Sequence, residues 1–318
     1  MGLSLVSQPS TPRVSTIVPV YNGMGTLQST VDSLLAQEYP SHEIVLVDDG
    51  SADDSPELLR ELAESVDITA VFKPNGGVGD ARNCGVEAAS GELIAFCDQD
   101  DTWEPDKLAL QVPLFANPEI GLVFSGVRTV YPDREVIGLP VMKRPSLEDM
   151  LVDNRISCCT AVTRRSLFEA VGGFDADRVM AGVDDWHLWL RLLQRCEVDS
   201  VRKALATHVI HGDNYSLRES AMLDAALLCL SKLGSPAHQP PIAGPLLRDA
   251  ERRVYEHYGQ NLLHNGDFKL AANCFVNAWK KNPRRLSSFL KGLALYGAPN
   301  PLLANLQRRK REQSAARS

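Results

Sequence analysis

Four short apolar runs, Val14–Val20, Glu43–Val47, Ile68–Phe72 and Leu93–Cys97, alternate with helical patterns across the first hundred residues. Continuous apolar runs of this length read as strands buried on both faces, the condition of a parallel sheet. The segments between them carry helix signals. Leu27, Val31, Leu34 and Leu35 share one face between about Thr26 and Ala36, Ser55-Pro56-Glu57 supplies a cap and a first-turn proline, and a third helix from about Gly79 to Ala88 is closed by Gly91. Alternation of this kind requires right-handed βαβ crossovers, so the expected fold class is α/β, a doubly wound and mostly parallel sheet.

Two of these strands end in paired acids. Leu93–Cys97 runs into Asp98, Asp100 and Asp101 around the spacer Gln99, and Glu43–Val47 runs into Asp48-Asp49 before Gly50-Ser51. Ligands of open α/β sheets bind in the crevice beyond the carboxyl ends of the strands, which places both acidic pairs along one cleft. Crowded carboxylates repel unless a cation lies between them. Mg²⁺ or Mn²⁺ takes oxygen ligands from one or two such groups and completes its shell with substrate phosphates, so a metal and diphosphate site is expected. A solvated acidic loop would look the same in isolation; the placement at two strand ends favours chemistry.

The 318 residues, 44% hydrophobic and 23% charged, suit one large domain or one domain with a smaller companion. The net charge is −7, but residues 280–318 hold ten Lys/Arg against the single acid Glu312, leaving an acidic body with a basic tail around Arg308-Arg309-Lys310-Arg311. That body argues against a nucleic-acid partner. Such a tail suits peripheral contact with anionic lipid, at the inner face of a membrane. Seven cysteines without zinc-type spacing point to reduced thiols in the cytoplasm. Residues 1–12 have no apolar core and are expected to be disordered rather than a signal peptide, and no run approaches a membrane span.

Beyond residue 100 the pattern loosens. Gly121–Val130 and Ser157–Thr163 read as strands; Leu147–Val152, Arg165–Val171 and Asp185–Gln194 read as helices. From Ser216 to about residue 300 the chain turns helical, and Tyr255, Gly259, Gly266, Phe268, Ala271, Phe275, Ala278 and Pro283 give residues 252–285 a tetratricopeptide-like spacing. One such hairpin cannot bury its own face and must pack on flanking helices or a second subunit. Dimer contact, acceptor docking and membrane association each fit residues 216–318.

Gly23-x-Gly25 and Gly77-x-Gly79 each open a helix after a strand, yet the third glycine position holds Gln28 or Arg82, so a dinucleotide fingerprint is incomplete. Read together, Val14–Asn22, Val47-Asp-Asp-Gly-Ser51, Asn75-Gly-Gly through Ala81-Arg82-Asn83-x-Gly85, and Asp98-Gln-Asp-Asp resemble the family 2 glycosyltransferases of the GT-A (nucleotide-diphospho-sugar transferase) fold, over about residues 13–215.

The resemblance implies an inverting, metal-dependent transfer of a sugar from a nucleoside diphosphate, UDP first, to a hydroxyl on a glycan or lipid-linked acceptor. Pro19, Tyr21 and Asn22 would hold the nucleobase, Asp49 would accept from its imide N–H, and Arg82 would face the nucleotide or its diphosphate. Asp100 matches the direct ligand of Mn²⁺ or Mg²⁺, and Asp98 would reach the ribose or the metal. His211, in His211-Gly-Asp-Asn-Tyr-Ser216, would stand near metal or diphosphate. Asp185, ahead of Trp186-His187-Leu188-Trp189, is expected as the base that deprotonates the acceptor, with Asp184 as its partner. Asp101 and Trp103 are expected as a helix-starting acid and a packing aromatic, and His187 as solvated. A sugar-phosphate nucleotidyltransferase would need a cationic glycine-rich loop that Tyr21-Asn-Gly-Met-Gly25 lacks; a non-catalytic helical scaffold would not need the acids.

Overall fold

The computed structural model describes residues 11–210, 219–235, 238, 240–284 and 286–297. Its elements begin β1 (Val14–Val20), α1 (Leu27–Leu35), β2 (His42–Asp48), α2 (Ser55–Ser65), β3 (Ile68–Phe72), α3 (Val78–Ala88) and β4 (Leu93–Phe96). They continue with β5 (Thr102–Trp103), α4 (Lys107–Gln111), β6 (Ile120–Val130), β7 (Glu135–Gly138), α5 (Leu147–Val152), β8 (Val162–Arg164), α6 (Arg165–Ala170), α7 (Asp184–Leu192) and β9 (Glu197–Val209). Four helices follow: α8 (Glu219–Leu233), α9 (Gly244–Asn265), α10 (Phe268–Lys281) and α11 (Leu286–Gly297).

The chain divides into two compact units. The first takes in the described residues to Pro145, with Arg155–Ala176 and Arg195–Ile210; the second takes in Ser146–Asn154, Asp177–Gln194 and the described residues after Ile210. Thus α5 and α7 group with the C-terminal helices.

The first unit is one nine-stranded sheet in the order β3-β2-β1-β4-β8-β6-β9-β5, with β7 added on β6. Strands β3, β2, β1 and β4 are mutually parallel, as the apolar runs predict, and every residue of β1 is buried. Beyond β4 the sheet becomes mixed: β8 runs antiparallel to β4 and β6, while β9 is parallel to β6. Helix α3 lies close on the parallel half. A Cβ on Gly85 would stand 2.4 Å from Ile17 Cγ2 of β1 and 2.9 Å from Val47 Cγ2 of β2, so only glycine admits that approach. The strand expected over Ser157–Thr163 begins instead as a 3₁₀ turn at Cys158–Thr160, and β8 starts at Val162.

In the second unit α9 and α10 pack together. Gly266 ends α9 at φ +88°, where the Asp267 N–H returns to the Leu262 carbonyl at 2.8 Å, a closure that a left-handed glycine makes available. Phe268, Ala271, Phe275 and Ala278 are all buried. No helix of the described residues is long and apolar enough to cross a membrane. Residues 1–10 and 298–318, the latter including the basic tail 301–318, lie outside the described residues.

Candidate functional site

Parallel register brings the ends of β1, β2 and β4 to one edge, since Val20 pairs with Asp48 and Ile17 with Phe96. The order β2-β1-β4 reverses direction at β1, which is where an open sheet leaves a crevice. Pro19 marks the opening. It has the parity of Ile17, whose carbonyl accepts the Cys97 N–H at 3.1 Å, so its missing donor faces the side where pairing with β4 has stopped.

The turn after β1 is stitched to its neighbours. Asn22 sits at φ +52°, a left-handed conformation that asparagine tolerates. Its N–H donates to Ser51 Oγ (2.9 Å) and its Oδ1 accepts from the Ala52 N–H (2.8 Å), tying β1 to the loop after β2. On the other side the Gln99 amide clamps Tyr21: Oε1 accepts the Tyr21 N–H at 2.8 Å and Nε2 donates to the Tyr21 carbonyl at 3.1 Å. The Tyr21 ring stays 50% exposed at the rim.

Asp49 is buried and has three donors. Its Oδ1 accepts from Lys73 Nζ (2.6 Å) and the Gly76 N–H (2.8 Å), and its Oδ2 accepts from the Gly77 N–H (2.8 Å). It therefore anchors the loop ahead of α3 and keeps acceptor capacity at Oδ2 alone.

Asp98, Gln99, Asp100 and Asp101 form a tight turn closed by the Asp101 N–H to the Asp98 carbonyl at 3.1 Å. Arg82, buried on α3, donates from Nη2 to Asp98 Oδ1 at 2.6 Å, and its guanidinium lies 5.1 Å over the Phe174 ring. An aromatic face and a carboxylate together hold a buried guanidinium charged and oriented. Among the described residues no three His, Cys, Asp or Glu side chains are grouped as a metal cage. Asp98 and Asp100 nevertheless offer hard oxygen donors from one turn at a strand end, a donor set that fits Mg²⁺ or Mn²⁺ completed by phosphate oxygens.

Asp101 departs from expectation. It starts no helix; it is 1% exposed and its Oδ1 lies 2.8 Å from His208 Nδ1 on β9. Burial lifts its carboxyl to about 6 against the pull of His208. For His208 burial acts downward, but the hydrogen bond and charge of Asp101 prevail and raise it to about 9. The two form an ion pair behind the acidic turn. The pair escapes sequence reading because its members are 107 positions apart; the available signal was a third acid directly ahead of the apolar positions of β5.

Asp184 and Asp185 belong to the second unit, in the first turn of α7, where acids complement the helix dipole. Asp184 is buried, whereas Asp185 is partly exposed and accepts at Oδ1 from the Trp186 N–H (2.6 Å) and Asn154 Nδ2 (3.2 Å). Trp186 is fixed by its Nε1–H to the Met150 carbonyl at 2.7 Å. His187 is only 5% exposed, a correction to its expected solvation: it lies on the face of α7 that carries the buried Trp186, Leu190 and Arg191. His211 lies outside the described residues.

Residues 15–172 match the model of glycosyl transferase family 2. The putative teichuronic acid biosynthesis glycosyltransferase TuaG of Bacillus subtilis is 32% identical over 189 residues, which is 58% of this chain and 73% of that protein. WfaP of Escherichia coli, a UDP-Glc:alpha-D-GlcNAc-diphosphoundecaprenol beta-1,3-glucosyltransferase, is 27% identical over 71% of this chain and 88% of its own length. The chain spans just under two thirds of other curated relatives, 65% of one from Rickettsia prowazekii and 66% of one from a Nostoc species. Among solved structures, residues 1–349 of S. aureus TarS in complex with UDP-GlcNAc superpose with a TM-score of 0.65 at 17% identity over 89% of each chain. The mannosyltransferase PcManGT of Pyrobaculum calidifontis, in complex with GDP-Man and Mn²⁺, gives 0.59 at 22% identity over 95% of this chain and 85% of its own. At these identities the likeness to the solved structures is one of fold.

Proposed function

We propose that this chain, which belongs to glycosyl transferase family 2 and has the GT-A fold, moves a sugar from a nucleoside diphosphate, UDP first, to a hydroxyl of a glycan or lipid-linked acceptor with inversion at the sugar carbon. The observation that carries the reading is the acidic turn Asp98–Asp101, held beside buried Arg82 at the switch point of the parallel strands. UDP and UDP-GlcNAc complexes of TarS support the donor class, and the acceptor named for WfaP supports a lipid-linked one, which would put the reaction at the cytoplasmic face of a membrane.

In this reading Tyr21 and Asn22 line the base pocket at the β1 end that Pro19 opens, and Asp49 gives its remaining acceptor capacity to the base. Arg82 acts through Asp98, fixing that carboxylate for the ribose or the cation rather than forking the diphosphate itself, because its guanidinium is buried against Phe174. Asp100 with Asp98, and His211 as a third candidate, would hold a divalent cation, which would supply Lewis-acid neutralisation of the departing diphosphate. Asp185 takes the proton of the acceptor hydroxyl as its oxygen bonds to the sugar carbon and the bond to the diphosphate breaks, with Asp184 raising its affinity for that proton.

Asp185→Asn lowers transfer by roughly 10³-fold while donor affinity in calorimetry stays unchanged; transfer near the wild-type rate rejects the base. Asp100→Ala weakens Mn²⁺-dependent UDP binding by about a hundredfold, and an unchanged titration rejects that ligand. A screen of nucleotide sugars for metal-dependent rise in melting temperature identifies the donor, since ligand bound to the native state stabilises it by mass action.

A further inference from the structure

Among its described side chains, α11 turns most of its leucines outward. Its inward positions are Ser288, 4% exposed, and the buried Gly292, with Leu295 packed against the cluster of Leu262, Ala271, Cys274 and Phe275. Leu286, Leu290 and Leu293 face the other way and are 60%, 59% and 54% exposed. Beside Leu295, small and polar contacts hold the helix down. A Cβ on Gly292 would stand 2.8 Å from Val276 Cγ2 and 3.3 Å from the Ala272 carbonyl oxygen of α10, and Ser288 Oγ donates to Glu256 Oε1 at 2.7 Å. A helix whose surroundings were only water would bury these leucines and expose the serine. Three leucines spaced one turn apart on the outer face therefore ask for a cover.

Charge selects the cover. Residues 280–318 carry +9, and Lys280, Arg284 and Lys291 are exposed on α11 and the chain leading into it. A second copy meeting this face would set Lys280, Arg284 and Lys291 against their own counterparts. An anionic phospholipid surface answers both the leucines and the charge, since an amphipathic helix lying in the interface buries its apolar face at the acyl boundary and keeps its cations among the phosphates.

We propose that α11 is an in-plane anchor, with Leu286, Leu290 and Leu293 entering the boundary of an anionic bilayer. This assignment stands apart from the transfer reaction: substitutions on the outer face of α11 leave transfer to a soluble acceptor unchanged.

The test is flotation of the full chain with vesicles of phosphatidylcholine alone and of phosphatidylcholine mixed with phosphatidylglycerol. The wild type floats with the anionic vesicles only. The triple variant Leu286→Asn/Leu290→Asn/Leu293→Asn partitions at least about tenfold less, with an unchanged melting temperature and molar mass. Equal flotation of the variant, no flotation of the wild type, or a wild-type dimer that the variant dissolves would overturn the anchor, the last in favour of a second copy. Should the triple variant fail to fold, Leu290→Trp decides: its added emission shifts to the blue on anionic vesicles, and emission that does not move rejects the proposal.

Discussion

Each unit buries a cation, and the two are treated in opposite ways. Arg252 on α9 is 1% exposed and fully answered: its Nε and Nη2 donate to Asp249 Oδ1 at 2.9 and 2.7 Å, and its Nη1 donates to Glu256 Oε2 at 2.5 Å. Burial acts against its charge, but the bonds to Asp249 and Glu256 outweigh that and hold it above its ordinary value. Lys107 at the start of α4 is fully buried against the face of Trp103, 3.9 Å from the ring, and its Nζ has no hydrogen-bond partner among the described residues. Burial lowers it from 10.5 to about 7. Carboxylates on its own helix face, three and four residues away, thus strengthen the hold of Arg252 on its proton, whereas burial against an aromatic ring weakens that of Lys107.

The sharpest way to break this contrast is to strip Arg252 of both partners. Asp249→Ala/Glu256→Ala leaves a buried guanidinium uncompensated and costs about 3 kcal/mol in urea unfolding, most of it recovered by adding Arg252→Met. A cost near zero would mean that solvent already reaches the pair. Lys107→Met acts in the opposite direction and raises stability by about 2 kcal/mol at neutral pH. Between about 7 and 10.5 the unfolded chain binds a proton at Lys107 that the folded chain does not, so wild-type stability climbs with pH through that window, and the penalty is complete below it. Lys107→Met flattens that climb; an unaltered slope in pH-dependent unfolding would show Lys107 charged in the fold.

Glycine contacts extend the comparison with smaller effects. Gly85→Ala forces a Cβ to within 2.4 Å of the β-branched Ile17 in the sheet, and costs about 1–2 kcal/mol despite the better helix propensity of alanine. Gly259→Ala on α9 meets Cys274 Cβ at 3.0 Å and a Phe275 ring carbon at 3.2 Å, so a slight shift of α10 offsets the propensity gain and the net change stays within about 0.5 kcal/mol. Equal effects at the two sites, in matched melting curves, would show that sheet and helix pair yield alike.

These contrasts mirror what could be read from the residues. The parallel half was legible because strands buried on both faces are written as unbroken apolar runs, and the acids directly beyond them mark the crevice edge. Strand β9 was not, because Arg202 and Lys203 interrupt its apolar positions and its register to β6 shifts at Ser125 and Gly126. The burial of Asp101 and Lys107 depends on strands and turns remote in sequence, and no local pattern announces a charged group in a core. His187 misled for a related reason: helix α7 is buried nearly all round, so a polar residue within it does not mark a solvent face. Helix α11 defeats the usual rule, since three of its four leucines point outward.

The spacer of the acidic turn carries a last consequence. Motif patterns leave that position blank, yet here the Gln99 amide grips both backbone groups of Tyr21, and Gly23 leaves the room it needs, a Cβ there falling 2.4 Å from Gln99 Oε1. Gln99 is a rivet between two strand tips. Swapping this nominally free letter would reshape the seat of Tyr21, and libraries that hold both aspartates fixed while randomising the residue between them would select first for the geometry of that strand tip.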